Sequence, residues 1–406
     1  MPLENHSDAS DGWLTPRRFM FVLCLVVSIA ASAGRARGQT EAAAQHPQQT
    51  ETPAKPVEES ARTSPDRAIR IAWVGDIVLE VPWRPKVTAP KTMFDGVRKR
   101  LLDFDLVVAN LETPLTDWDV ETPYKDKAAV EAGRDVIFRV GSPEAASALH
   151  EAGIGVVALA NNHTMDFTEQ GLRDTVKRLN RAGVMHVGGG ENLTEAEDLL
   201  VVNLKGRRLG LLSFSDVVPR YSWAEANRPG IATAKDAERV VEAVRRARGK
   251  ADILILILHW GIQFSEEPSP RQEFLAQQAQ LAGADLVLGA HPHVLQGIGC
   301  LGRVPVVYSA GNFVFPTMSM PTRRTGIFEF DFSDAASPMA RLVPLVIDES
   351  GAPQLADKES QQEILSHMRQ LSLPLGFRFT GDRGTCGELP ARSPVSVSHR
   401  DTSHER

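Results

Sequence analysis

Residues 253–258 read Ile-Leu-Ile-Leu-Ile-Leu, six branched aliphatic side chains without a polar break. Successive side chains of a strand point to opposite faces. Such a run therefore has no face to offer water and belongs to a sheet covered on both sides. Other β-rich runs recur at residues 69–74, 106–109, 136–140, 156–160, 209–214, 286–288, 304–308 and 327–332, and each is read as a strand. Between them lie stretches with helical spacing. Residues 168–182 set Leu172, Val176 and Leu179 on one stripe, and residues 270–282 align Phe274 with Leu281 two turns on. Residues 199–204 and 209–214, joined through Lys205-Gly206-Arg207-Arg208, read as a hairpin. The alternation predicts an α/β fold with at least one mixed sheet.

A chain of 406 residues with 42% hydrophobic content has material for one large core and is not mostly disordered. Its 45 Lys+Arg against 51 Asp+Glu give a net charge of −6, so no nucleic-acid partner is expected. Three cysteines exclude a disulfide scaffold and a zinc site of four thiolates. Residues 19–33 form an apolar run after Arg17 and Arg18 that ends Ala31-Ser32-Ala33, the pattern of a secretory signal peptide over residues 1–33. Export to the periplasm or cell surface is expected, with the same segment serving as a membrane anchor if it stays uncleaved. Residues 34–66 carry Val57 as their single β-branched aliphatic residue and read as a disordered linker. The folded domain is expected over residues 67–348, followed by a partly disordered extension at 349–406. Cys24 falls in the signal, which leaves Cys300 and Cys386. They either bond, closing a loop of about 86 residues, or remain two thiols too far apart to bridge.

Polar residues cluster where the apolar runs end. Asp76 follows the first run, Glu112 follows residues 106–109, and Asn161-Asn162-His163 with Asp166 follows residues 156–160. His259 follows residues 253–258, and His291-Pro292-His293 follows residues 286–288. Each cluster has a local reading. Asp76 suits a turn, Glu112 an exposed loop, the asparagines and Asp166 a helix start, and His259 a backbone-bonded core position. The spacing of His291 and His293 puts both rings on one side of an extended segment. Carboxylate, amide and imidazole at the carboxyl ends of several strands point to converging metal ligands. That mixed nitrogen and oxygen set suits Mn, Fe or Zn, as one or two divalent ions.

These residues, in this order, resemble the CapA family of capsule and poly-γ-glutamate biosynthesis proteins, related to the calcineurin-like metallophosphoesterases. The stations are Gly75-Asp76, Asn110-Leu111-Glu112, Ala160-Asn161-Asn162-His163 with Asp166 and Gly171, and His259-Trp260-Gly261. They continue with Ala282-Gly283-Ala284-Asp285, Gly289-x-His291-Pro292-His293-Val294 with Gln296, and Tyr308-Ser309-x-Gly311-Asn312-Phe313. The resemblance covers about residues 70–347. It implies a metallophosphoesterase-like sandwich of two mixed β-sheets flanked by helices. It implies metal ligation by Asp76, Glu112, Asn162, His259, His291 and His293, with Glu112 in the place of a bridging carboxylate. His163 takes the role of acid or charge stabiliser, with Asp166 either orienting its ring or capping the following helix. Asn110, Gln296 and Asn312 fall on the substrate side. The chain departs from the pattern in four places. Ile77 and Val78 follow Asp76 where the phosphoesterase motif has a histidine two residues on. Leu79-Glu80 replaces small or basic residues, Gln263 a glutamate, and Ala290 a polar residue. The implied function is that of an exported metal-dependent hydrolase or transferase acting on an anionic envelope polymer such as poly-γ-glutamate, working with a membrane synthase complex. The alternatives are a metallophosphoesterase acting on a phosphorylated envelope component and a non-catalytic polymer-binding accessory.

Overall fold

The computed structural model describes residues 68–82, 89–317, 319–333 and 337–387. The signal segment, the whole of the linker, and the tail past residue 387 lie outside these residues. The chain forms two large mixed sheets. The nine-stranded sheet runs Pro353–Leu355, Met339–Ile347, Arg324–Asp331, Arg70–Ile77, Leu106–Leu111, Ile154–Ala158, Met185–Val187, with Asn312–Val314 and Arg383–Gly384 paired off that path. The last four strands of that order are parallel, and Arg324–Asp331 joins them antiparallel. The six-stranded sheet runs Ile298–Leu301, Val304–Val307, Leu286–Ala290, Ile253–His259, Arg207–Ser215, Leu200–Leu204, with parallel strands inside and antiparallel ones at both edges.

The unbroken run at 253–258 explains the layering. Ile253, Ile255 and Ile257 enter the apolar layer between the sheets, with Ile71, Trp73, Val108, Leu286 and Leu288. Leu254, Leu256 and Leu258 take the other face, with Val240 and Val244 of helix Ala237–Arg248 and Leu275, Ala276 and Ala279 of helix Pro270–Ala282. Each fully buried aliphatic side chain contributes about 1.5–3 kcal/mol, which offsets a backbone-ordering cost of about 1–2 kcal/mol per residue. Trp73 Nε1 donates to Gly289 O at 3.3 Å and so links the sheets. The outer face of the larger sheet packs Val74, Val107 and Ala109 with Leu149, Leu172 and Leu179, the first from helix Ala145–Glu151 and the others from helix Thr168–Ala182.

Several expectations need correction. Phe274 and Leu281 are 44% and 65% exposed, and the inner stripe of their helix is Leu275, Ala276, Ala279 and Ala282. Small alanines let that helix approach the sheet closely, so bulk was a poor guide to its inner face. Residues 136–140 are not a strand, since only Val140 bridges, to Leu115. Arg139 instead donates to Trp118 O and lies over the Phe167 ring, which draws the segment off any sheet edge. The hairpin turns on two residues alone, Lys205 and Gly206, at φ 49° and 79°. After residue 349, helix Lys358–Ser372 buries Ile364 and Met368, and Arg383–Gly384 pairs with Met339–Ile347. Cys300 and Cys386 are bonded, with Cα atoms 5.4 Å apart.

Candidate metal centre

Parallel strands of both sheets end at one place. Asp76 is the penultimate residue of strand Arg70–Ile77, and Glu112 directly follows Leu106–Leu111. Asn161 to His163 lie three to five residues past Ile154–Ala158, His259 ends its strand, and His291 follows Leu286–Ala290. Gly75 permits this packing: a Cβ there would lie 1.8 Å from Gly311 O, the group that accepts from Asp76 N at 3.0 Å. His291 and His293 are not delivered by an extended segment. Their φ values are 99° and 60°, in the left-handed region, at a cost of order 1–3 kcal/mol each. That turn brings their ring centroids to 5.8 Å, with the His259 ring 4.8 Å from His291.

The donor atoms of Glu112, His291 and His293 lie within 4.8 Å of one another, as do those of Asp76, Glu112 and His259. Glu112 belongs to both groups. His259 Nε2 stands 3.4 Å from Glu112 Oε1 and 2.7 Å from Asn162 Oδ1, while His293 Nδ1 stands 3.1 Å from Asp76 Oδ2. Burial, reinforced by the charge of Glu112, pushes the Asp76 carboxyl above its ordinary range. Burial also opposes ionisation of Glu112, yet His293 and His259 hold it well below the usual carboxylate range. For His293, burial works against the imidazolium, but Glu112 and Asp76 raise it to about 9. Burial, with His259 and His293 adding repulsion, holds His291 well below the ordinary value. Both Glu112 carboxylate oxygens and His291 Nδ1 are buried without a hydrogen-bond partner. Each such orphan costs about 1–3 kcal/mol, more when charged. A divalent cation fits this donor set and would satisfy all three atoms.

The other expected site residues are placed as follows. Asn162 is half-buried and faces His259. Its neighbour Asn161 donates to Leu111 O at 2.8 Å and accepts from the backbone of His163 and Thr164, which fixes the loop. None of these residues caps helix Thr168–Ala182, whose N-cap Phe167 makes no side-chain bond. Asp166 is fully buried. Its Oδ2 accepts from Phe138 N at 2.8 Å and lies 2.8 Å from His163 Nδ1. The three residues expected on the substrate side each hold protein partners. Asn110 donates to Asp76 Oδ1 at 2.8 Å and lies 3.3 Å from His259 Nδ1. Asn312 lies beside Asp76 in the sheet, with Oδ1 2.9 Å from His293 Nδ1 and its amide donating to Thr322 O at 3.0 Å. Gln296 accepts from Gln272 at 2.9 Å and donates to Ser265 O at 2.8 Å, which clasps a loop.

Sequence reasoning missed Lys125, whose Nζ stands 2.7 Å from Asp166 Oδ1. It also missed the aromatic rings around the site. Phe138 lies 4.3 Å from the His163 ring, and Phe315 lies 5.3 Å from His293. Lys125 sits in a polar stretch with no apolar period, so no local signal marks it. A groove of about 820 Å³ opens alongside, lined by Phe264, Val294, Pro321, Thr322 and Leu371 among others.

Fold and donor set together define a class: two-sheet α/β proteins that gather carboxylates and imidazoles at the carboxyl ends of parallel strands. The chain belongs to the bacterial capsule synthesis protein PGA_cap family, whose model matches residues 70–317. The capsule biosynthesis protein CapA of Bacillus anthracis is 31% identical over 291 residues, covering 70% of this chain and 69% of that protein. The PGA biosynthesis protein CapA of Bacillus subtilis (strain 168) is 29% identical over 328 residues, covering 80% and 83%. A Mycobacterium tuberculosis protein named "Probable polyglutamine synthesis accessory protein" is 30% identical over 220 residues, covering 52% and 55%. Among solved structures, Haemophilus influenzae NAD nucleotidase (NadN) aligns at TM-score 0.40 and 13% identity, over 75% of this chain and 56% of that one. The 5'-nucleotidase from Candida albicans SC5314 aligns at 0.38 and 9%, over 76% and 58%. So distant a likeness carries nothing about the activity of this chain.

Proposed function

We propose that this protein is an exported, metal-dependent hydrolase or transferase acting on an anionic envelope polymer of the poly-γ-glutamate kind. The observation that carries the reading is the buried carboxylate of Glu112, without a hydrogen bond at either oxygen and shared by two groups of imidazole and carboxylate donors. Asp76, Glu112, Asn162, His259, His291 and His293 would hold one or two ions of Mn, Fe or Zn. A bound divalent ion supplies Lewis acidity, which polarises a substrate oxygen and makes water a competent nucleophile near neutral pH. The chain's own residues do the rest. Asn110 and Asn312 fix Asp76, His259 and His293. His163 engages Asp166 through Nδ1, which leaves Nε2 to give a proton to a leaving group. Export is supported by the arginine pair, apolar run and small-residue end of residues 17–33. None of the helices among the described residues is long and apolar enough to cross a membrane. A role beside a polymer synthase is supported by the name of one relative, a probable polyglutamine synthesis accessory protein.

Metal analysis of the full-length protein, followed by assays on poly-γ-glutamate and on a chromogenic phosphodiester, tests the reading. Metal content with polymer cleavage or transfer is the expected result. Cleavage of the phosphodiester alone selects the metallophosphoesterase reading, which the Asn162-His163 pair favours. Polymer binding without turnover selects the non-catalytic accessory, favoured by buried Ile77 and Val78 standing where the phosphoesterase motif has an imidazole. Mass spectrometry of exported material should find an N-terminus near Gly34, and an intact Met1 in a cytoplasmic fraction would overturn export.

A further inference from the structure

We infer that Lys125 is a positioning residue for His163, acting through Asp166. The role of His163 rests on the function proposed above; the contacts of Lys125 do not. The Lys125 side chain is 8% exposed, and its Nζ has three close neighbours. Val136 O accepts at 2.6 Å, Asp166 Oδ1 lies at 2.7 Å, and His163 Nδ1 lies at 3.2 Å although it is 38 residues away in sequence. Lysine is among the residues least often buried, because its ammonium loses hydration. A lysine needed only to staple its loop would find exposed Asp135, which lies farther off at 3.7 Å. Lys125 instead reaches a carboxylate with no exposure of its own.

The two oxygens of Asp166 divide the work. Oδ2 takes the Phe138 N–H and faces His163 Nδ1, each at 2.8 Å, while Oδ1 faces Lys125. The carboxylate plane is thus held from both sides, and rotation about its bond to Cβ would break one set of contacts or the other. We place the Nδ1 proton toward Asp166, the nearer group at 2.8 Å and an acceptor when ionised, so that Lys125, at 3.2 Å, acts on the ring by fixing the carboxylate rather than by donating to it. The same loop contributes Phe138 against the ring and Thr122 N, which donates to Asp166 O at 2.8 Å. Together they cradle His163 with Nε2 directed away from Asp166.

The test uses full-length protein with labelled histidine and lysine side chains, and compares Lys125→Met with Asp135→Asn. In the unmodified protein the His163 Nδ1 proton, identified by its loss in His163→Gln, should be protected from solvent. It should lose that protection in Lys125→Met and keep it in Asp135→Asn, with metal content unchanged in both. On whichever substrate is cleaved, Lys125→Met should lower kcat on the order of tenfold with KM nearly constant. An unchanged Nδ1 signal in folded Lys125→Met overturns the inference. So does loss of metal together with that signal, which marks a structural role. If Lys125→Met fails to fold, the unmodified protein decides: a solvent-protected lysine ammonium in through-space contact with the His163 ring supports the inference, and its absence overturns it. If neither substrate is cleaved, the proposed function falls while the imidazole signal still decides the position of Lys125.

Discussion

The metal cluster and the His163 corner are both buried and charged, yet they are satisfied differently. At His163 the charges are paired within the chain: Lys125 with Asp166 Oδ1, His163 and the Phe138 N–H with Oδ2. Asp166 Oδ1 and both Glu112 oxygens alike lack a hydrogen bond, but Asp166 Oδ1 has an ammonium at 2.7 Å whereas Glu112 Oε1 meets its imidazoles only at 3.4 and 3.9 Å. Two histidines of the cluster also sit at left-handed backbone angles. A self-satisfied ion pair holds geometry whether or not a ligand arrives. A cluster with orphaned donors is arranged for something the chain itself does not supply.

The largest expected effect tests the second half of that contrast. Replacing His291 and His293 together with alanine should remove bound metal, read by elemental analysis of purified protein. Metal added to a hundredfold above Kd should stabilise the unmodified protein by about 2.7 kcal/mol and the double variant not at all. Equal metal content in both would break the comparison. The other half is tested by Asp166→Ala, which leaves Lys125 buried beside no carboxylate. A loss of about 3–5 kcal/mol in denaturant unfolding is expected with metal content retained, and a negligible loss would show that the corner is not held by its charges. Asn312→Ala sharpens the contrast, because it loosens a ligand without removing one. Metal affinity should fall about 10–100-fold by competition titration, and an unchanged affinity would deny Asn312 its hold on His293. Asp135→Asn should be the mildest, within about 0.5 kcal/mol by denaturant midpoint, since that carboxylate is exposed and its contact with Lys125, at 3.7 Å, is the longer one. A larger cost would mean that Lys125 serves its loop more than Asp166.

Much of the cluster was legible before any coordinates. Asp76, Glu112, His259 and the His291/His293 pair announce themselves as polar residues ending apolar runs. Their order along the chain carries the family resemblance. What the pattern left unread was the second task of the amides. Asn110, Gln296 and Asn312 look like free donors in sequence, and in the structure each holds a protein partner. Phe274 and Leu281 misled for a related reason, because bulk at helical spacing marks a stripe without saying which way it faces.

The sequence by itself determined the two-faced burial of Ile253–His259, the placement of helices Thr168–Ala182 and Pro270–Ala282, the family, and the identity of the cluster's donors. These are local properties: side-chain alternation, apolar residues at helical spacing, and motifs a few residues long. Only the tertiary structure decided that Lys125 meets Asp166, that Cys300 reaches Cys386, and that positive φ angles aim the two histidines. Such contacts join segments tens of residues apart, and the path that unites them is set by packing of the whole chain, which no local period encodes.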